Sequence, residues 1–167
     1  MTGGPAARGD DLYDRDILEW SAREAERLRR LSRGERVNEV DWENVIEEVE
    51  SVGRSEFSSV ESLLARALEH VAKAAGWPDG RDVQHWLSEA TTFLDDARRR
   101  FAPSMRQKLD LDRLWRSAAR GARRRDLYGR AAAPLPDAPP FALDDLLDEE
   151  TDPADLVARV REAAVGG

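Results

Sequence analysis

From Trp42 to Gly76 the chain runs without a proline and with one strong helix breaker, Gly53, while its apolar residues keep a single helical phase. At 100° per residue, Trp42, Val45, Val49, Val52, Val60, Leu63, Ala67 and Val71 share one face, and the phase survives across Gly53. This predicts one central helix over about 42–76, stopped by Gly76-Trp77-Pro78. A straight helix of that length measures roughly 52 Å, whereas a compact chain of this size is about 40 Å across. The helix therefore either bends, with Gly53-Arg54-Ser55 the expected place, or runs past its domain and offers apolar surface to a second subunit.

The remaining sequence reads as helix too, because no period-two alternation is sustained. A first helix is expected from about Leu12 to Leu31, with Asp10 or Asp11 as N-cap and Tyr13, Ile17, Trp20, Leu28 and Leu31 on one side, closed by Ser32-Arg33-Gly34. Asp41 and Glu43 suit the start of the long helix. Asp79 to Asp82 open a third helix with Val83, Trp86, Leu87, Ala90, Phe93, Leu94, Ala97 and Phe101 on its inner face, and Pro103 ends it. A fourth, about Asp112 to Tyr128, presents Leu114, Trp115, Ala118 and Ala122, small enough at two places for close helix approach. After Gly129, the prolines between Ala133 and Pro140 enforce an extended arm, which Phe141, Leu143, Leu146 and Leu147 can anchor. Asp152-Pro153 starts a last short helix with Leu156, Val157 and Val160 inward. The expectation is an all-α helical bundle: a flexible tail over 1–10, the bundle over 11–130, and a Pro-rich C-terminal arm with short terminal helices over 131–167.

Catalytic templates are missing. The chain holds no cysteine, which excludes thiol catalysis, cysteine-ligated metals and disulfides and makes a reducing compartment the default. There is no Gly-rich phosphate loop, His-Glu-x-x-His or Glu-x-x-His pair. Asp82, His85 and Glu89 have partial metal-ligand spacing, but His85 lies opposite the Trp86 face and is expected in solvent. Four residues form the candidate functional polar cluster: Glu56, His70, Glu47 and Arg54. Glu56 falls inside the apolar stripe and so needs a partner there; a buried ion pair or a bond to an indole outweighs a catalytic acid or metal ligand. His70, at the margin of the same stripe, reads as a hydrogen-bonded structural histidine before a base. Fourteen residues, roughly 21 Å of helix, separate the two.

The formal charge of −8 conceals a pattern: −7 over 1–80, +6 over 81–130 and −7 over 131–167. On the long helix Glu43, Glu47, Glu50 and Glu61 gather away from the core face. The basic block concentrates on Arg113, Arg116, Arg120, Arg123 and Arg124, extended by Arg98, Arg99, Arg100 and Arg125. Arginine outnumbers lysine 24 to 2 and forks equally well onto carboxylate or phosphate. In so acidic a chain the basic helix is expected to dock on acidic surface of its own or a sister chain, with nucleic-acid or anion binding the alternative. No stretch has the ~18 apolar residues of a membrane span and the N-terminus lacks an apolar signal core, so a cytoplasmic protein without membrane contact is expected.

Several segments are similar to one known family. Leu12-Tyr13-Asp14-Arg15-Asp16 with Glu19-Trp20, the run Asp41 to Glu56 (DWENVIEEVESVGRSE), Leu68-Glu69-His70-Val71, and the tail from Leu135 to Asp148 resemble the bacterial family catalogued as domain of unknown function twenty-nine. The resemblance covers about Leu12 to Pro153. It departs after His70, where Lys73-Ala74-Ala75-Gly76-Trp77 stands in place of an aromatic-rich basic turn. It implies a small all-helical protein and assigns no activity. Together these readings describe a cytoplasmic interaction or structural module, a homo-oligomer or the ligand of a protein partner, without catalysis, cofactor or resident metal. Anion binding by the Arg helix is the alternative, and a metal-dependent enzyme with a carboxylate and histidine site the second.

Overall fold

Asp16 interrupts the first helix. In the computed structural model, which describes residues 12–166, α1 (Leu12–Arg15) and α2 (Ile17–Ser32) are separate, and the Asp16 carboxylate accepts a hydrogen bond from the Glu19 N–H at 3.0 Å. An aspartate that satisfies an orphan first-turn amide starts a helix more readily than it continues one, so the expected Leu12–Leu31 helix is corrected to two. The expected 1–10 tail and the Asp10 or Asp11 cap lie outside the described residues.

The long helix forms as the periodicity predicts. α3 (Trp42–Gly76) is a single 35-residue helix that continues through Gly53. Packing divides the chain inside it, into one unit up to Arg54 and a second from Ser55. In the first unit α1 and α2 are joined to the start of α3 by polar contacts. The Tyr13 hydroxyl donates to Glu48 at 2.6 Å, the Trp20 indole N–H donates to Asp41 at 3.1 Å, and the Asp41 N–H donates to Glu24 at 3.1 Å. Glu24 is also paired with Arg27, which reaches on to Glu39 at 3.2 Å.

The second unit holds the main core. Val60, Leu64, Ala67, Leu68 and Val71 of α3 pack with Trp86, Ala90, Leu94 and Ala97 of α4 (Val83–Arg100) and with Leu114, Trp115, Ala118, Ala119 and Ala122 of α5 (Leu111–Arg123). Pro103–Met105 forms a short turn of tighter helix. α5 stops five residues earlier than expected. Asp126–Leu127 and Arg130–Ala131, β1 and β2, pair antiparallel around Tyr128 and Gly129, whose φ values are +56° and +73°. Two successive residues of positive φ make the two-residue turn that matches strand twist, a signal too short to appear as alternation. Tyr128 is tied in place by donating to Asp82 at 2.5 Å.

The Pro-rich arm is pinned through its carbonyls, because prolines leave acceptors without matching donors. Trp77 donates to the Arg130 carbonyl and Trp115 to the Pro136 carbonyl, each at 3.0 Å, and Arg123 donates to the Leu135 carbonyl at 2.7 Å. Leu135, Phe141 and Leu146 are buried, the last in α6 (Leu143–Leu147). α7 (Pro153–Val165) buries Leu156, Val157 and Val160 as expected, and both short helices pack on α4. Arg98, expected on a basic ridge, is instead part-buried and donates to the carbonyls of Leu146 and Thr151 at 3.0 and 3.4 Å.

Candidate functional site

The first half of α3 carries the feature with the clearest functional content. Trp42, Ile46, Val49 and Val52 are 54%, 53%, 70% and 64% exposed. The cause is local. α2 is bonded to Asp41, and α1 through Tyr13 to Glu48; both lie round the helix from the stripe, so these contacts cover a polar neighbour of the apolar face and leave that face bare. The stripe predicted from Trp42 to Val71 is real, but only its second half, from Val60 on, is buried.

The edge of this face is polar and well held. A cavity of about 530 Å³ beside Trp42 is lined by Trp20, Glu24, Arg27, Asp41 and Glu43, among others. Asp41 accepts from the Asn44 side-chain amide at 2.7 Å and from Trp20, bonds that hold its carboxyl below the usual range despite burial. Tyr13 is pushed above its ordinary value because its proton is engaged by Glu48. These shifts follow from bonds within the unit; no nucleophile and base are brought together by them.

The residues singled out from sequence separate. Arg54 reaches Glu47 at 2.5 Å and Glu50 at 3.5 Å along one exposed helix flank. Glu56 is a correction: it is exposed, paired with Arg100 at 3.6 Å, because the stripe around it is uncovered and the carboxylate never leaves water. His70 is a second correction. Its Nδ1 is buried and has no hydrogen-bond partner among the described residues; the ring stacks on Phe93 with centroids 5.7 Å apart. Burial, and then the nearby Lys73 charge, lower its pKa. Asp82 is engaged by Tyr128 and His85 is exposed. No group of three His, Asp or Glu side chains that could hold a metal occurs among the described residues.

On α5, Arg113 pairs with Glu61, Arg123 with Asp137 at 2.8 Å, and Arg125, just beyond the helix, with Glu69 at 2.8 Å. Burial raises Glu69, but Lys73 and Arg125 outweigh it and hold its carboxyl below the ordinary value. Arg116 donates to the Asp112 carbonyl, and Arg120 and Arg124 are exposed. An apolar groove of about 640 Å³ between the ends of α3 and α7 is walled by Ala75, Pro78, Ala133, Pro134, Ala158 and Val165, with Arg161 and Glu162 its charged groups.

Sequence reasoning missed Glu24, the charged residue buried at 3% exposure. The signal was present: Glu24 sits at helical spacing between Ile17, Trp20, Leu28 and Leu31, the pattern that drew attention to Glu56.

The geometry thus defines a small all-helical protein with an uncovered apolar helix face and no assembled catalytic set among the described residues. The chain belongs to the family described as domain of unknown function DUF29, whose profile matches residues 12–151. Among solved structures it is similar to an α-helical protein of unknown function from Rhodospirillum rubrum, 31% identical, with a TM-score of 0.67 over 89% of this chain and 96% of that one. No curated protein matches it. No helix among the described residues is long and apolar enough to cross a membrane.

Proposed function

We propose that this chain is a protein–protein interaction module of the cytoplasm, without catalytic activity, whose contact surface is the bare face of α3. The observation that carries the reading is the exposure of Trp42, Ile46, Val49 and Val52 on one continuous face. Leaving a large indole and three aliphatic side chains in water on one stripe is costly, and contiguous apolar patches of a few hundred Å² mark interaction sites. The helix beneath is a rigid presenter, with no loop to order on binding.

The test is a photoreactive phenylalanine at Val49 in the native cells, with the same group at exposed Gln84 of α4 as control. A discrete adduct from position 49 and none from 84 is expected. No adduct at 49, or equal adducts at both, overturns the reading.

The exposed Arg116, Arg120 and Arg124 favour a second reading, anion or nucleic-acid binding by α5. It requires a mobility shift of duplex or single-stranded nucleic acid at low salt that weakens steeply as salt rises; no shift at low salt removes it.

A further inference from the structure

Charge of one net sign borders the bare face of α3. At 100° per residue Glu43, Glu47 and Glu50 fall within about 60° of one another, beside Trp42 and Ile46, and all three are exposed. Arg54 lies in the same row and pairs with Glu47 and Glu50, so three carboxylates stand against one guanidinium. The Trp42 end is negative as well. The cavity there gathers Glu24, Glu39, Asp41 and Glu43 with Arg23 and Arg27, four acids against two bases. Arg27 is taken up by Glu24 and Glu39, while Asp41 is held by the uncharged N–H donors of Trp20 and Asn44. Glu43 belongs to both the flank and the cavity, so the negative charge runs unbroken from one to the other.

We propose that the partner of this face is a cationic amphipathic helix. Its apolar side chains lie along Trp42, Ile46 and Val49, its basic side chains follow the flank of Glu43, Glu47 and Glu50, and one guanidinium or ammonium group enters the cavity beside Trp42. The proposal rests on the reading of this face as a protein contact and adds the chemistry of the partner. A helical partner follows from what α3 offers. Its backbone groups are used within the helix, so it presents side chains only, and a segment docked on it must satisfy its own backbone. Trp42, Ile46 and Val49 are spaced four and three, the spacing of a seam along which a second helix lies. A basic partner follows from the charge, because an acidic segment would meet like charge along the whole flank. The cavity adds selectivity for a cation, since carboxylates and the indoles of Trp20 and Trp42 stand in one wall, and a guanidinium is attracted by both. The basic helix of a second copy does not fill this description: the exposed residues of α5 are all polar, so it brings the charge without an apolar stripe.

The probes are two labelled helical peptides of about 18 residues with the same leucine seam, one flanked by arginine and the other by glutamine, titrated into the full chain by fluorescence anisotropy. The arginine peptide is expected to bind about tenfold or more tightly than the glutamine peptide at about 0.05 M salt, and the gap to close toward about 0.5 M. Glu43→Gln combined with Glu50→Gln is expected to weaken the arginine peptide about fivefold and leave the glutamine peptide unchanged. The same change at exposed Glu149 and Glu150 should alter neither, which separates this flank from the general acidity of the chain. Val49→Ser should weaken both peptides. In cells, the segment joined to the photoreactive group at 49, read by mass spectrometry, is expected to be a helix-forming run of net positive charge. No binding of either peptide, equal affinity for the two, an arginine peptide indifferent to the Glu43 and Glu50 pair or equally weakened by the Glu149 and Glu150 pair, or a captured segment that is not basic or belongs to a second copy overturns the proposal. Where position 49 captures a segment of other chemistry, the contact surface stands and the cationic partner fails; where it captures nothing, both fail.

Discussion

At the scale of single residues, burial in this protein follows from what lies opposite a side chain more than from its place on a helical wheel. Glu24 and Glu56 both interrupt apolar stripes. Glu24 meets Arg27 and the Asp41 N–H and is nearly enclosed; Glu56 meets Arg100 in solvent. Removing the Glu24 carboxylate leaves a guanidinium that is only 13% exposed with the exposed Glu39 as its remaining carboxylate, and a part-buried amide without its acceptor, so Glu24→Ala should cost about 3 kcal/mol and Glu24→Gln about 1, read from urea denaturation. Equal, small effects would show the pair to be a surface pair. His70 makes a prediction of opposite character. Its pKa in the folded chain lies below 6.5, because burial disfavours the imidazolium, so between that value and 6.5 the unfolded chain binds more protons. Stability contributed by neutral His70 is therefore full above about pH 6.5 and is lost as pH falls toward the folded value. The urea midpoint of the natural chain should drop from pH 7.5 to 5.5, and His70→Leu should remove that drop; an unchanged slope would place the titration elsewhere. The wheel gave no sign of this, since it locates a ring but not the absence of a hydrogen-bond partner.

At the scale of elements, α3 was legible to the residue because a 35-residue phase leaves little else to form. The arm was legible because proline dictates extension. The break at Asp16 and the β1–β2 turn were not, since each depends on one or two residues adopting a cap or a positive φ. Which half of α3 would be covered was equally hidden, because periodicity names a face and cannot name its neighbour. Two substitutions separate these cases. Gly129→Ala forces a Cβ onto a residue with φ of +73° and should cost about 1 kcal/mol in thermal denaturation. Gly53→Ala meets open space and should stabilise the chain by about 0.5–1 kcal/mol. The same substitution type thus changes sign with backbone conformation. Trp115→Phe keeps the ring contact with Phe141 but loses the bond to the Pro136 carbonyl; it should cost about 1 kcal/mol and increase proteolytic nicking of the arm between 133 and 141.

At the scale of the whole molecule the two units are built on different terms. Among the described residues up to Arg54 only Trp20 and Glu24 are buried, whereas the unit from Ser55 encloses Trp77, Trp115 and a continuous set of aliphatic side chains. A unit with two buried residues draws its order from ion pairs, from the continuity of α3 and from whatever covers its apolar face, so it belongs to the low end of local stability. Amide hydrogens should report this directly. Those of residues 17–52 should exchange through local openings well before those of 60–75, 86–100 and 111–122. A partner held only by α3 should protect the first group alone, because binding stabilises the state that binds. In the chain joined at position 49 to the protein it captures, exchange in 42–54 should be slower than in the free chain by about tenfold or more, and the second group should be unchanged. Protection that rises equally in both groups would mean that association buries the second unit instead, and protection that never changes would mean that the face stays in water.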